Sequence, residues 1–248
     1  MKARVAVLAF PGSCDDRDAL RAVALMGAEP VRVWHADSDL GGAGAVIVPG
    51  GFSYGDYLRP GALAALSPAV AAVRELAAAG GPVLGICNGF QVLTEADLLP
   101  GVLRPNAHLQ FRCQDVGLRV QRESAWLPGT VAGDTLEIPV KHHDGCYFAA
   151  PGQLEELDAA GQVLLRYVHN PNGSVESIAC VTNAAGNVAG LMPHPEHAVD
   201  PLLGSTDGRI LLQGLVDQAV AAPTPRPTTD RHASRRARDR NRPSRVQA

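Results

Sequence analysis

A chain of 248 residues, 46% hydrophobic and 19% charged, can bury a sizeable core and excludes a disordered or fibrous protein. A net charge of −3 gives no electrostatic reason to expect nucleic acid or an anionic membrane surface as partner, and no stretch approaches the length of a membrane span. The cysteines Cys14, Cys87, Cys113, Cys146 and Cys180 are odd in number and include no C-x-x-C pair, which argues against a disulfide framework and for a reducing cytoplasm.

The opening "MKARVAVLAFPGSCDD" has a basic start, but its apolar run is too short for a signal peptide and stops at Pro-Gly. Residues 4–10 therefore read as a first strand. Asp15 to Gly27 reads as a helix, acidic in its first turn and closed by glycine. "PVRVWH" and "GAVIVPGG" give two more strands, and Pro60 to Ala79 gives a helical stretch broken at Ser67-Pro68. "PVLGI" is a fourth strand, followed after Cys87 by a helix. Such alternation predicts an α/β fold: an open, flavodoxin-like, mostly parallel sheet with helices on both faces. After about residue 100, "DVGLRVQ", "TLEIPVK", "VLLRYVH", "SIACVTN" and "NVAGLMP" are short runs between Gly, Asn and Pro turns, and they predict a small antiparallel addition to that sheet. Asp207 to Ala221 closes as an amphipathic helix. Residues 1–222 are thus one domain. Residues 223–248, with eight Arg against two Asp and little to bury, are expected to be a disordered extension.

Three segments carry chemistry. In "GPVLGICNGFQVL", Cys87 lies between Gly85 and Gly89, the pattern of a nucleophile elbow with sulfur in place of oxygen. Most single cysteines are packing residues, but two flanking glycines cost conformational entropy that packing does not require. A helix starting at Asn88 also aims its N-terminus at the sulfur and favours the thiolate. In "LMPHPEHAVDP", His194 and Glu196 are two apart on what reads as an extended segment, so the carboxylate can orient the imidazole as the base that a cysteine nucleophile needs. His197 makes a metal cluster conceivable, but the prolines forbid the helical spacing of a zinc H-E-x-x-H, and no metal is expected. In "VIVPGGFSYGDYLRPG", the glycines at a strand end expose N–H groups; those of Gly51 or Phe52, with that of Asn88, form a candidate oxyanion hole.

Together with "NPNGS" and "GNVAGLMPHPEHA", these strings make the chain resemble the triad-type (class I) glutamine amidotransferases, and within them the glutaminase subunits of phosphoribosylformylglycinamidine synthase, over about residues 3–221. The resemblance implies that Cys87 attacks the carboxamide of glutamine, that His194 and Glu196 complete the triad, and that Gly50, Gly51, Gln91 and the 109–111 backbone (Leu109, Gln110, Phe111) contact glutamine. It implies a large synthetase subunit (PurL-type) and a small accessory subunit (PurS-type) as partners. The chain itself is expected to hold no cofactor; ATP and magnesium belong to the synthetase. One departure stands out: where the family has a glycine after the histidine of "PVKHHDGCYF", this chain has His143 before Asp144 and Gly145. An amidotransferase subunit for another synthetase, a cysteine hydrolase or redox protein of related fold, and a binding module with a decayed site are the alternatives.

Overall fold

The computed structural model describes residues 2–221; the expected Arg-rich extension lies outside the described residues. A nine-stranded sheet forms the centre. Strands β1 (Arg4–Ala9), β2 (Glu29–Trp34), β3 (Ala45–Val48), β4 (Val83–Ile86), β6 (Arg112–Val120), β7 (Thr135–His142), β9 (Val163–Tyr167), β10 (Ile178–Thr182) and β11 (Val188–Leu191) lie in the order β2-β1-β3-β4-β11-β10-β9-β6-β7. Strands β2 to β11 of that order are parallel, and β10, β9, β6 and β7 continue the same sheet antiparallel. The antiparallel part, expected to be small, is therefore nearly half the sheet. Strands β3, β4, β10 and β11 are buried along their whole length, whereas β6 and β7 alternate, as strands with one wet face must.

Helix α1 (Asp16–Leu25) packs with α5 (Gly208–Ala221) over β1, while α2 (Pro68–Ala78) crosses from β3 to β4. The β1–β2 and β3–β4 crossovers run in opposite directions across the sheet, so right-handed connections put α1 and α2 on opposite faces. The expected break at Ser67-Pro68 is a helix start: Ser67 Oγ accepts from the Val70 N–H at 3.3 Å and Pro68 occupies the first turn. A separate two-stranded ribbon of β5 (Val102–Arg104) and β8 (Cys146–Phe148), and helix α4 (Pro151–Ala159), have no counterpart in the sequence reading. The two strands are too short to show alternation, and α4 buries only Leu157, so it carries no apolar stripe.

Strand order reverses between β1 and β3, and beyond the carboxyl ends of β1, β3, β4 and β11 the chain gathers Asp15, Gly50-Gly51, Cys87 and His194. An open α/β sheet forms its ligand crevice at such a point. The sheet also curls: three strands separate β11 from β7, yet the His194 N–H donates to Pro139 O of β7 at 2.8 Å. That curl brings the end of β7 into the crevice. Among the described residues no helix is long and apolar enough to cross a membrane.

Candidate active site

Strand β4 delivers Cys87 into a backbone conformation of φ 51°, ψ −108°, from which α3 (Asn88–Glu95) starts at once. For a residue with a Cβ this is strained by about 1–3 kcal/mol, a cost that surrounding structure must hold in place. The Cys87 N–H donates to Leu191 O at 2.8 Å, locking the elbow to the end of β11, and its carbonyl accepts from Gln91. The flanking glycines are obligatory for close approach. A Cβ on Gly85 would meet Gly89 O at 2.8 Å, and one on Gly89 would collide with the Val48 carbonyl of β3. The thiol itself is 6% exposed and its Sγ is 3.7 Å from Lys141 O.

His194 is fully buried, and its Nδ1 lies 2.7 Å from Glu196 Oε1. The contact is not made along a strand as the spacing suggested. Residues Pro195–His197 form a 3₁₀ turn that folds the carboxylate back onto the ring, and α5 is pressed against it at Gly208. His194 Nε2 is buried and has no hydrogen-bond partner among the described residues. Burial opposes charge on this ring, but the Glu196 carboxylate and then Cys87 outweigh it and raise its pKa.

Geometry separates the candidate oxyanion donors by whether their N–H groups are already bonded. The Phe52 N–H donates to Gly12 O at 2.9 Å, so it is already spent; among the described residues no acceptor faces the N–H of Gly51 or of Asn88. Gly50 O accepts from both the Cys14 and Asp15 N–H groups at 3.2 Å. Because Gly50 C=O and Gly51 N–H belong to one peptide, pinning the oxygen fixes where the N–H points.

The pocket, of about 430 Å³, is lined by Cys87, Gly51, Phe52, Gln91 and Phe111, and on its other walls by Asp15, Asp56, Lys141 and Asp144. Gln91 lies in it, but its amide is committed to bridging α3 outward: Nε2 donates to Asp144 O at 2.7 Å and Oε1 accepts from Asn88 Nδ2 at 2.9 Å. Of residues 109–111, Phe111 borders the pocket; Leu109 (φ 54°) turns away, 71% exposed, and Gln110 O accepts from Asn106 Nδ2. Burial and the charge of Asp144 push Asp56 up to about 6, against the Asn88 hydrogen bond. His143, the departure from the family pattern, lies at the rim with Nδ1 2.9 Å from Asp144 Oδ2.

Asp15, Lys141 and Asp56 were not picked out from the sequence, and Asp144 was noted only as the acidic residue of the family pattern that follows His143. Of the first three, only Asp15 carried a signal, as a polar residue just beyond the carboxyl end of the first strand. Asp15, His194, Glu196 and His197 converge closely enough to gather round a cation, but Lys141 Nζ is bonded to Asp15 at 2.5 Å and His194 Nδ1 to Glu196. Of these four, Asp15 holds the Lys141 ammonium.

His142 lies beneath the pocket with Nδ1 3.0 Å from Asn106 Oδ1; burial and then the charge of His194 depress it to about 4. The unfolded chain takes up this proton near pH 6.5, the folded chain only near 4, so between those values the unfolded state binds more protons and stability falls as pH falls. Of the stability lost between pH 7 and pH 5, about 2 kcal/mol belongs to this ring. His142→Gln should flatten that decline by about that amount in urea titrations at the two pH values. An unchanged decline would mean that the folded chain does not depress the His142 pKa.

Comparison with known proteins adds four findings. Residues 2–209 match the model of the CobB/CobQ-like glutamine amidotransferase domain. The chain is 59% identical over 223 residues to the phosphoribosylformylglycinamidine synthase subunit PurQ of Frankia casuarinae, covering 89% of this chain and 96% of that one. It is 55% identical over 214 residues to the same subunit of Rubrobacter xylanophilus, covering 86% and 97%. Among solved structures it superposes on a chain of the Thermotoga maritima PurLQS structure with a TM-score of 0.81 and 42% identity, covering 88% of this chain and 99% of that one.

Proposed function

The chain belongs to the CobB/CobQ-like glutamine amidotransferase family, among the PurQ subunits, and from that premise we propose that it is the glutaminase subunit of a phosphoribosylformylglycinamidine synthase. The observation that carries the reading is the strained Cys87 elbow in a pocket that Gly51 also lines, in a chain that buries a His194–Glu196 pair and leaves the Gly51 and Asn88 N–H groups without an acceptor.

Glutamine enters with its carboxamide carbon against Cys87 Sγ. Sulfur adds to that carbon while the Gly51 and Asn88 N–H groups take the oxyanion charge. His194, whose raised pKa keeps a proton at hand, gives it to the departing nitrogen; the C–N bond breaks, ammonia leaves and a glutamyl thioester remains. His194 then takes a proton from water, which attacks the thioester and releases glutamate, while Glu196 keeps the imidazole in orientation throughout. The acidic lining of Asp56 and Asp144 suits the α-ammonium of glutamine, and Phe111 adds an apolar side chain to the same pocket.

Ammonia passes to a PurL-type synthetase assisted by a PurS-type subunit, where it converts formylglycinamide ribonucleotide to the amidine. ATP and magnesium act in that partner, this chain needs no cofactor of its own, and the assembly works in the cytoplasm. The superposition on a chain of PurLQS supports this choice of partners.

The test is glutamate release by the full chain, alone and with synthetase, accessory subunit, ATP and the ribonucleotide. Release that rises at least about tenfold in the complex is expected, since docking and closure complete such sites. Release indifferent to these partners would point to another synthetase, and none at all from folded protein would end the enzyme reading.

A further inference from the structure

The string "NPNGS" (170–174) takes no part in the thioester chemistry, yet it is built with care between β9 and β10. Asn170 shapes the turn: its Oδ1 accepts from the N–H groups of Asn172 at 3.2 Å and Gly173 at 2.8 Å, and its Nδ2 donates to Ser174 O at 2.7 Å. Asn172 is buried, and its bonds leave the turn for two other loops. Its Nδ2 donates to Gly145 O at 2.8 Å, in the loop after β7, and its backbone carbonyl accepts from the Ala107 N–H at 2.9 Å, in the loop before β6. Gly173, at φ 85°, permits the approach, because a Cβ there would lie 2.6 Å from Ala107 Cβ.

Both loops border the pocket: the first carries His143 and Asp144, the second runs into Phe111, and all three line it. The fully buried Asn106 ties the two together, its Oδ1 accepting from the Gly145 N–H at 3.0 Å and its N–H donating to His143 O at 2.8 Å. Between the two asparagines lies the His142 ring, with Nδ1 3.0 Å from Asn106 Oδ1 and Nε2 3.4 Å from Asn172 Nδ2. A neutral ring with its hydrogen on Nδ1 gives to one amide and accepts from the other. We propose that Asn172 is a positioning residue: it braces the two pocket loops against each other and so sets how well Asp144 and Phe111 receive the ligand, which is glutamine on the reading above.

The brace does more than fill space. Gly145 has its N–H and its carbonyl satisfied by asparagine side chains, so the loop depends on Asn106 and Asn172 for bonds that a strand partner supplies elsewhere. A buried polar network with every member satisfied specifies one geometry, where an apolar contact would let the loops slide. Ser174 extends it, since its Oγ donates to Asn172 Oδ1 at 2.7 Å and accepts from the Tyr147 N–H at 3.0 Å. The Asp144 carbonyl, held between His143 and Gly145, accepts from Gln91 Nε2 at 2.7 Å, so the brace also reaches α3 one turn past Cys87. Cys87, His194 and Glu196 are held by other bonds, and the effect of the brace falls on binding rather than on the chemical step.

The inference rests on the glutaminase reading for its ligand, and its test has one arm with glutamine and one without. In the reconstituted synthase, Asn172→Ala is expected to raise the glutamine KM about tenfold and to leave kcat within about twofold, as loss of uniform binding does. Leu157→Ala is the control for lost stability: it empties a buried position under α4, and unfolded molecules lower kcat without touching KM. A wild-type KM in folded Asn172→Ala, or an equal rise in Leu157→Ala, would overturn the proposal. Amide hydrogen exchange of the full chain is the second arm. Asn172→Ala should speed exchange at Ala107, Gly145 and Tyr147 about tenfold or more while β1, β3 and β4 keep their wild-type rates. Exchange that speeds alike throughout the chain would mark general destabilisation and overturn the brace. A wild-type complex that releases no glutamate, with exchange still faster in these loops alone, would remove the glutaminase reading and leave the brace standing; normal release with an unchanged KM in Asn172→Ala would do the reverse.

Discussion

Cys87→Ala is expected to abolish glutamine-dependent synthesis by the assembled synthase and to leave ammonia-dependent synthesis intact. Without sulfur no thioester forms, and the oxyanion donors and His194 act on a substrate that nothing attacks; a triad stripped of its nucleophile loses about 10⁴-fold or more in kcat. The fold should tolerate the change. Cys87 is small, its backbone is held by the Leu191 and Gln91 hydrogen bonds rather than by the thiol, and the Sγ contact to Lys141 O is weak. Supplying ammonium salts bypasses the missing step, because the chemistry on the ribonucleotide belongs to the partner. The measurement is amidine formation by the reconstituted complex with either nitrogen source. Loss of both activities in a complex that still assembles would place Cys87 in the synthetase step or at its interface and would overturn its assignment as the nucleophile. Retention of both would make Cys87 a packing residue.

The part of this site that was legible in the sequence was the part that is local. An elbow is written in five consecutive residues, because the glycines and the cysteine meet one backbone constraint together; a Cβ on Gly85 or Gly89 would lie within 3 Å of neighbouring atoms. His194 and Glu196 were identifiable as a pair, but not the way they meet: Pro195 starts a 3₁₀ turn where the spacing suggested a strand. Phe52 could not be told from Gly51 as a donor, because the difference is the Gly12 carbonyl, forty positions earlier and brought over by an isolated bridge between Ser13 and Gly51. Asp15 and Lys141 are 126 positions apart and meet only because the sheet curls β7 back over the end of β11. Strand order in the antiparallel half carries no local signature, so neither the extent of that half nor the salt bridge it creates could be read along the chain. In the parallel half, buried apolar strands alternating with capped helices left few arrangements to choose between.

Gly89→Ala tests whether the elbow is built by contact rather than by composition. Alanine is the better helix former by about 0.5–1 kcal/mol, and no positive φ at this position argues against it, so propensity alone predicts a gain. Sterics predict the opposite. The added methyl would fall on the Val48 carbonyl carbon and oxygen, buried backbone at the end of β3 that cannot rotate away as a side chain would. Either α3 lifts or β3 bends, and overpacking of this kind costs about 1–3 kcal/mol, which exceeds the propensity gain. Any lift of α3 carries Cys87 and the Asn88 N–H with it, and Val48 leads directly into Gly50 and Gly51, so nucleophile and both oxyanion donors move relative to one another. A misplacement of about 1 Å is enough to cost about 10²-fold in rate. The expected result is a folded protein about 2 kcal/mol less stable in urea, with glutamate release reduced by that order. Gly152→Ala is the matched control: that glycine is also in a helix, α4, and a Cβ there meets nothing within 4 Å. It should be neutral or slightly stabilising and fully active. If Gly89→Ala behaves like its control, α3 is not seated on β3 through this glycine, and the strain at Cys87 must be held by the Leu191 and Gln91 hydrogen bonds.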